Sequence, residues 1–300
     1  MKKLIICLGI LLWGCSSPTP KDKSVGTSTT TPNRLSREWK SYWFDGTAEI
    51  SSYKLTQNRY GQARQGKAVI IFVTEDLLKA EQVKANKRSN VSATVLKRNS
   101  TKRFLTGIYP YQIMTSTFSW IKNPEPLAKI SLSMQEWCGH SYLQVNNREE
   151  LEFIRHSYFE GEADQELVLG KIATEDGLIN QIRLNPEKID ADTLQMLPSL
   201  EVLQLNHHPI QAYTAELSQE LKDQKRIIQV YYPQLKRRVI IEAEINFPYA
   251  ILGWEEHFFH QGKEVFNQAQ RLNTIKTPYW NQNKVRDSLQ RQSLQLNEMD

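Results

Sequence analysis

Ile130-Ser131-Leu132-Ser133-Met134-Gln135 alternates apolar and polar side chains with a period of two. That period puts every second residue on one face of an extended chain, so the stretch reads as a half-buried β-strand and not a helix. Continued without a bulge, it sets Glu136, Cys138 and His140 on the core-facing side with Ile130, Leu132 and Met134. Strand text runs from Ala128 to Val145 and again from Glu149 to Phe159, with Asn146-Asn147 between. Asparagine accepts the positive φ of a tight turn, so this pair predicts a hairpin. In that register Cys138 faces Arg155, and His140 faces Phe153.

The same texture extends in both directions. Ala48, Ile50 and Tyr53 to Leu55 precede a turn at Asn58 to Gly61, and Gln65-Gly66 signals a second turn before the β-branched run Ala68 to Val73. Val91 to Leu96 follows, then a hairpin tip expected at Arg98 to Thr101, then Phe104 to Tyr109 and Gln112 to Ile121. Strand text also covers Leu167 to Leu169, Ile179 to Leu184, Leu200 to Leu205, Ile210 to Leu217, Arg226 to Tyr232, Arg238 to Phe247, Tyr249 to Phe259 and Arg271 to Thr277. Two helices interrupt it. One is capped by Ser36, with Trp39 and Trp43 on one side; the other, Asp190 to Leu197, stops at Pro198. The expected class is all-β with few short helices: a large curved antiparallel meander or incomplete barrel with a hydrophobic concave face. A two-layer β-sandwich is the alternative. No 20- to 50-residue period suggests a propeller or solenoid.

At the amino end, Met1-Lys2-Lys3 leads an apolar run into Leu12-Trp13-Gly14-Cys15. The run is about half the roughly 20 residues that a membrane-spanning helix needs, which makes it an export signal. Residues 1–14 are expected to be removed. Cys15 and residues to 35, rich in Ser, Thr, Pro and Lys, form a flexible tether; 36–280 form one β-rich domain; 281–300 form a polar tail. The three cysteines are Cys7, Cys15 and Cys138, which leaves the folded part without a disulfide. The formal charge is +5, of which Lys2 and Lys3 carry two, an excess too mild to argue for nucleic acid.

Glu136, Cys138, His140 and Arg155 are the weak candidates for chemistry: a cation stabilises thiolate and a histidine can serve as its base. Against that, cysteine usually packs as a small hydrophobe, and Glu136 with Arg155 reads as a structural ion pair. Neither His257 with His260, which point to opposite faces of a strand, nor His207-His208 has ligand spacing, so no metal is inferred. The acidic loop Glu160 to Asp164 lacks the regular calcium pattern and reads as solvated. No phosphate-cradling loop, GxSxG or HExxH motif occurs, and no cofactor is implied. Trp120, Trp137, Trp254 and Trp280 lie in or beside strands, suited either to core packing or to holding an apolar group.

The Leu-x-Gly-Cys ending resembles the lipobox of bacterial lipoproteins, which implies acylation of Cys15, palmitate included. Gly46 to Leu55, Gln135 to His140 and Ser157 to Asp164 together resemble a group of uncharacterised Gram-negative envelope lipoproteins over most of the mature chain. Members sometimes carry the label "septum formation inhibitor Maf", but the Ser-x-Ser-Pro-Arg motif of the cytoplasmic Maf pyrophosphatases is absent. The resemblance implies a shared fold and an outer-membrane lipid anchor, with Ser16 after the cysteine fitting that sorting, and no activity. The function expected is binding of an apolar, lipid-like ligand or an envelope partner, without catalysis. The alternatives are an envelope enzyme using Cys138, His140 and Glu136, and an accessory subunit of an outer-membrane complex.

Overall fold

The computed structural model describes residues 35–123 and 126–296. The signal, Cys15 and the tether up to residue 34 lie outside the described residues. The first helix, α1 (Arg37–Trp43), starts where Ser36 predicts it, its side chain accepting from Trp39 N. The strands then follow as β1 (Ala48–Arg59), β2 (Gln62–Leu78), β3 (Ser92–Thr106), β4 (Tyr109–Trp120), β5 (Leu127–Glu136), β6 (Gly139–Asn147), β7 (Leu151–Ser157) and β8 (Gln165–Leu169). After β9 (Ala173–Thr174) come α2 (Glu175–Leu184), β10 (Asp192–Leu197) and α3 (Leu200–Leu205). The remainder is β11 (Tyr213–Lys222), β12 (Lys225–Tyr232), β13 (Arg237–Glu244), β14 (Ile251–His260), β15 (Lys263–Thr277) and α4 (Gln290–Ser293).

All 15 strands belong to one sheet. From edge to edge it runs from β8 back to β1, then from β15 back to β9. Every neighbouring pair is antiparallel except β9 with β10. The first strand is thereby zipped to the last, Ala48 opposite Thr277 and Ile50 opposite Ile275. The two edge strands, β8 and β9, are consecutive in the chain, separated only by Gly170, Lys171 and Ile172. A chain spans at most about 3.6 Å per residue, so Leu169 and Ala173 lie within about 14 Å of each other. The sheet therefore curls until its edges face each other, and stops short of pairing them. This is the expected incomplete barrel; the sandwich does not form.

Residue alternation decides what faces inward. Ala68, Ile70 and Phe72 of β2 join the main core, while Val69, Ile71 and Val73 face out. The concave side is not the open hydrophobic face expected from the sequence, because α2 and α3 occupy it. Thr174 caps α2 by accepting from Gly177 N, and Ser199 caps α3 by accepting from Val202 N. Outside, the tail is not simply polar. Leu294 and Leu296 bury against Ala48 and Ile50, and Ser52 Oγ donates to the Leu294 carbonyl.

Several turn and helix expectations are corrected. Gly66 sits mid-strand, where a Cβ would come 2.2 Å from the Arg103 carbonyl, so its glycine serves close approach of backbones and not a turn. Arg98 to Thr101 lies inside β3; the tip is Gly107-Ile108, with Gly107 at φ +68°. Residues 192–197 of the expected helix are strand β10, fixed by pairing with β11. The internal helices fall instead on 175–184 and 200–205, where Ile179 to Leu184 and Leu200 to Leu205 are expected as strand, because contact with the sheet's inner wall outweighs β propensity there. Asn146-Asn147 ends β6, and the turn lies earlier, at Trp137-Cys138.

Candidate functional site

Moving that turn moves the chemistry. A turn at Trp137-Cys138 interrupts the alternation: Ile130, Leu132 and Met134 stay buried, and beyond it burial resumes at Ser141, Leu143 and Val145. Cys138 is exposed in the turn, His140 pairs with Gln135 and points out, and Glu136 accepts from Cys138 N at 2.8 Å. The hydrogen bond to Glu136, then burial and the glutamate charge, push the Cys138 thiol above the ordinary cysteine value. That is the opposite of an activated nucleophile. Arg155 is opposite Leu143, not Cys138, and Phe153 is opposite Val145, not His140. Arg155 turns inward to Glu162 and donates Nε to Gln204. Glu162, read as solvated, is a buried hub that accepts from Ser157, Gln204 and His207. Burial pushes its carboxyl up, but those donors and Arg155 outweigh it and hold it below the ordinary range.

The interior is a lattice of such pairs between the helices and the wall. Arg183 of α2 bonds both Glu49 oxygens at 2.6 Å, with its guanidinium over the Trp43 and Phe72 rings. Arg98 pairs with Asp176, Lys102 with Glu201, and Arg237 with Glu175 and Glu256. Burial raises Asp176 and Glu201 above the ordinary carboxylate range despite Arg98 and Lys102. For Glu49 and Glu256 the arginines outweigh burial and hold the carboxyls down. Between these groups lies a cavity of only about 70 Å³. That is room for a few waters and not for a ligand.

A cavity of ligand size lies at the seam. About 510 Å³ opens beside the β8–β9 link, walled by Leu127 of β5 and Leu151 of β7 on one side and by Ile172, Leu178, Leu194 and Met196 on the other, with Lys188, Asp190 and Asp192 also on its wall. That volume is within the range of small-molecule sites, about 300–1,000 Å³. None of these residues stands out in the sequence, because the cavity is assembled from segments far apart in the chain. The one local signal is the short Gly170-Lys171-Ile172 link, which matters only once its flanking strands are known to be opposite edges. Among the described residues no group of three His, Cys, Asp or Glu side chains is placed to hold a metal, and no helix is long and apolar enough to cross a membrane.

A second surface feature is a rim. Alternate connections of a meander share one end of the sheet, and four successive tips there carry exposed apolar residues: Tyr60, Ile108, Trp137 and Tyr158, all more than half exposed. Tyr60, Trp137 and Tyr158 each meet a residue of a neighbouring strand. The Tyr60 and Tyr111 hydroxyls are 2.8 Å apart, the Tyr109 and Trp137 rings 6.2 Å apart, and Gly139 lies against Tyr158, whose ring a Cβ there would strike.

No family model and no curated protein matches the chain. Among solved structures, a porin-like protein from Bacteroides uniformis is similar at a TM-score of 0.23, with 10% identity over 76% of this chain and 96% of that one. At that score the functional reading rests on this chain's own geometry.

The Glu49–Arg183 pair gives a test of the interior. Glu49→Leu should cost about 3–5 kcal/mol at neutral pH by leaving Arg183 buried without its partner, and adding Arg183→Leu should recover much of that. Because the folded Glu49 carboxyl is held down, its contribution is present above the ordinary glutamate value of 4.5 and is lost as the pH falls through the folded value. Urea unfolding of the three chains between pH 3 and 7 checks both effects; equal stability of the single variant and wild type would refute the clamp.

Proposed function

We propose that this chain is a lipoprotein held at the outer membrane by acyl groups on Cys15, whose β domain takes an apolar, lipid-like group into the seam cavity. The observation that carries this reading is the largely apolar cavity of about 510 Å³ beside the β8–β9 link, where the sheet is left unclosed. Its walls are mostly apolar, so the favourable term is burial of apolar surface at roughly 25 cal/mol per Å². The curled body cannot offer its concave face, which the helices fill, so the seam replaces it as the binding place. The export signal and the Leu-x-Gly-Cys ending support the anchor, and a raised, exposed Cys138 thiol gives catalysis no support.

Native mass spectrometry of protein purified from membranes should show a bound lipid-sized mass. Leu194→Trp, which fills the cavity from β10, should remove that mass without altering the circular dichroism spectrum. A wild-type protein that is empty from the start would overturn the reading.

The rim favours a second reading, docking of an envelope protein on the tips. Exposed aromatic and large apolar residues grouped at one end of a sheet are the kind that anchor interfaces. Ile108→Asp with Trp137→Asp should leave the melting temperature unchanged and abolish recovery of any partner cross-linked through the intact anchor; undiminished cross-linking would exclude the rim.

A further inference from the structure

The seam cavity does not end in solvent alone. It adjoins a wider groove of about 980 Å³, and Asn147 and Lys171 are walls of both. The groove is lined by Lys79, Arg88, Lys122, Arg148 and Lys171 against a single carboxylate among its described residues, Glu149. Ile172 lines only the cavity and its neighbour Lys171 lines both; the cavity's own charges, Lys171 and Lys188 with Asp190 and Asp192, balance, so the cationic excess lies in the groove. Asn147 donates its amide to the Leu127 carbonyl at 2.8 Å, while its Oδ1 has no hydrogen-bond partner. Arg148 also pairs with Glu152, yet five cations against two carboxylates still leave the groove positive. Burial and then the charge of Arg148 push the nearby Lys129 ammonium below the ordinary lysine range, as a positive field would.

Topology sets where this groove faces. It is built from the β2–β3, β4–β5, β6–β7 and β8–β9 connections, all at the end of the sheet where β1 begins. The described chain enters at that same end, the end at which an anchor on Cys15 would attach it.

We infer that the ligand of the seam is an anionic amphiphile, its alkyl chain in the cavity between β7 and β10 and its phosphate or carboxylate head in the Arg88–Lys122–Arg148 groove. This rests on the reading of the cavity as an apolar-group site and adds the head group to it. The basic groove confers selectivity, and the aliphatic cavity confers most of the affinity. Phosphate on an alkyl chain and free phosphate present the same head chemistry, and the chain distinguishes them.

Isothermal titration of the full chain carrying Cys15→Ser, which dispenses with detergent, tests this with three probes below their aggregation limits: dodecyl phosphate, dodecanol and inorganic phosphate. Dodecyl phosphate should bind at least tenfold more tightly than dodecanol at low salt. Arg88→Gln with Lys122→Gln, both on exposed side chains, should bring the two to within about threefold of each other, and 0.5 M salt should do the same. Equal binding of dodecyl phosphate and dodecanol would overturn the head-group assignment and leave the apolar site standing. Inorganic phosphate binding as tightly as dodecyl phosphate would overturn both, as would binding of none of the three probes by a folded chain.

Discussion

The Arg183 guanidinium donates to both Glu49 oxygens and lies over the rings of Trp43 and Phe72, with Nε donating to the Pro248 carbonyl. One side chain thus fixes the end of α2 to the first strand, to α1 and to the β13–β14 connection together. Charges this deep are costly to desolvate, and the cost is met only because each donor has a fixed acceptor. Asn180 extends the same contact, its amide donating to the Leu96 and Thr117 carbonyls and to Ser119. Arg98 with Asp176 and Arg237 with Glu175 hold the other end of α2. The helix is held in place by geometry that tolerates little displacement.

A wall of 15 strands must curl, and what lies inside sets how far. With α2 and α3 in the lumen the edges approach but do not pair, and the three-residue link between β8 and β9 spans the gap. The seam is therefore a consequence of the filling. Its walls are mostly aliphatic, with Leu127 and Leu151 at the ends of their strands and Leu194 and Met196 on the short β10, and the adjoining groove is basic because the loops at that end carry lysine and arginine. Function, on this account, sits where the sheet fails to close and not on the face that the sheet encloses.

The period-two text of β5 and the β-branched run of β2 made the class legible, and the Ser36 cap placed α1 without help from tertiary contacts. Parity was the weak point. Reading Ala128 to Val145 as one strand missed a turn made of Trp137 and Cys138, neither of which announces a turn, and a two-residue turn flips which face the following residues take. Gly66 misled in the other direction, since glycine also serves where backbones approach closely. The two internal helices were misread because short apolar stretches such as Leu200 to Leu205 suit strand or helix, and only the lumen decides. The candidate cluster around Cys138 depended wholly on the register, so it dissolved with it, while Arg155 and Glu162 proved to be structural partners inside. The seam cavity was out of reach of any local pattern, because its walls meet only when the order of all strands is known.

Hydrogen exchange resolved along α2 bears most directly on the claim that buried charge pairs lock this helix into the lumen and thereby hold the seam open. The amides of Leu178 to Leu184 should exchange as slowly as those of Leu132 and Leu143 in the central wall, so that helix and sheet open only together. Exchange of α2 orders of magnitude faster than the wall would show a helix that leaves the lumen on its own, and the account of the seam would fail with it.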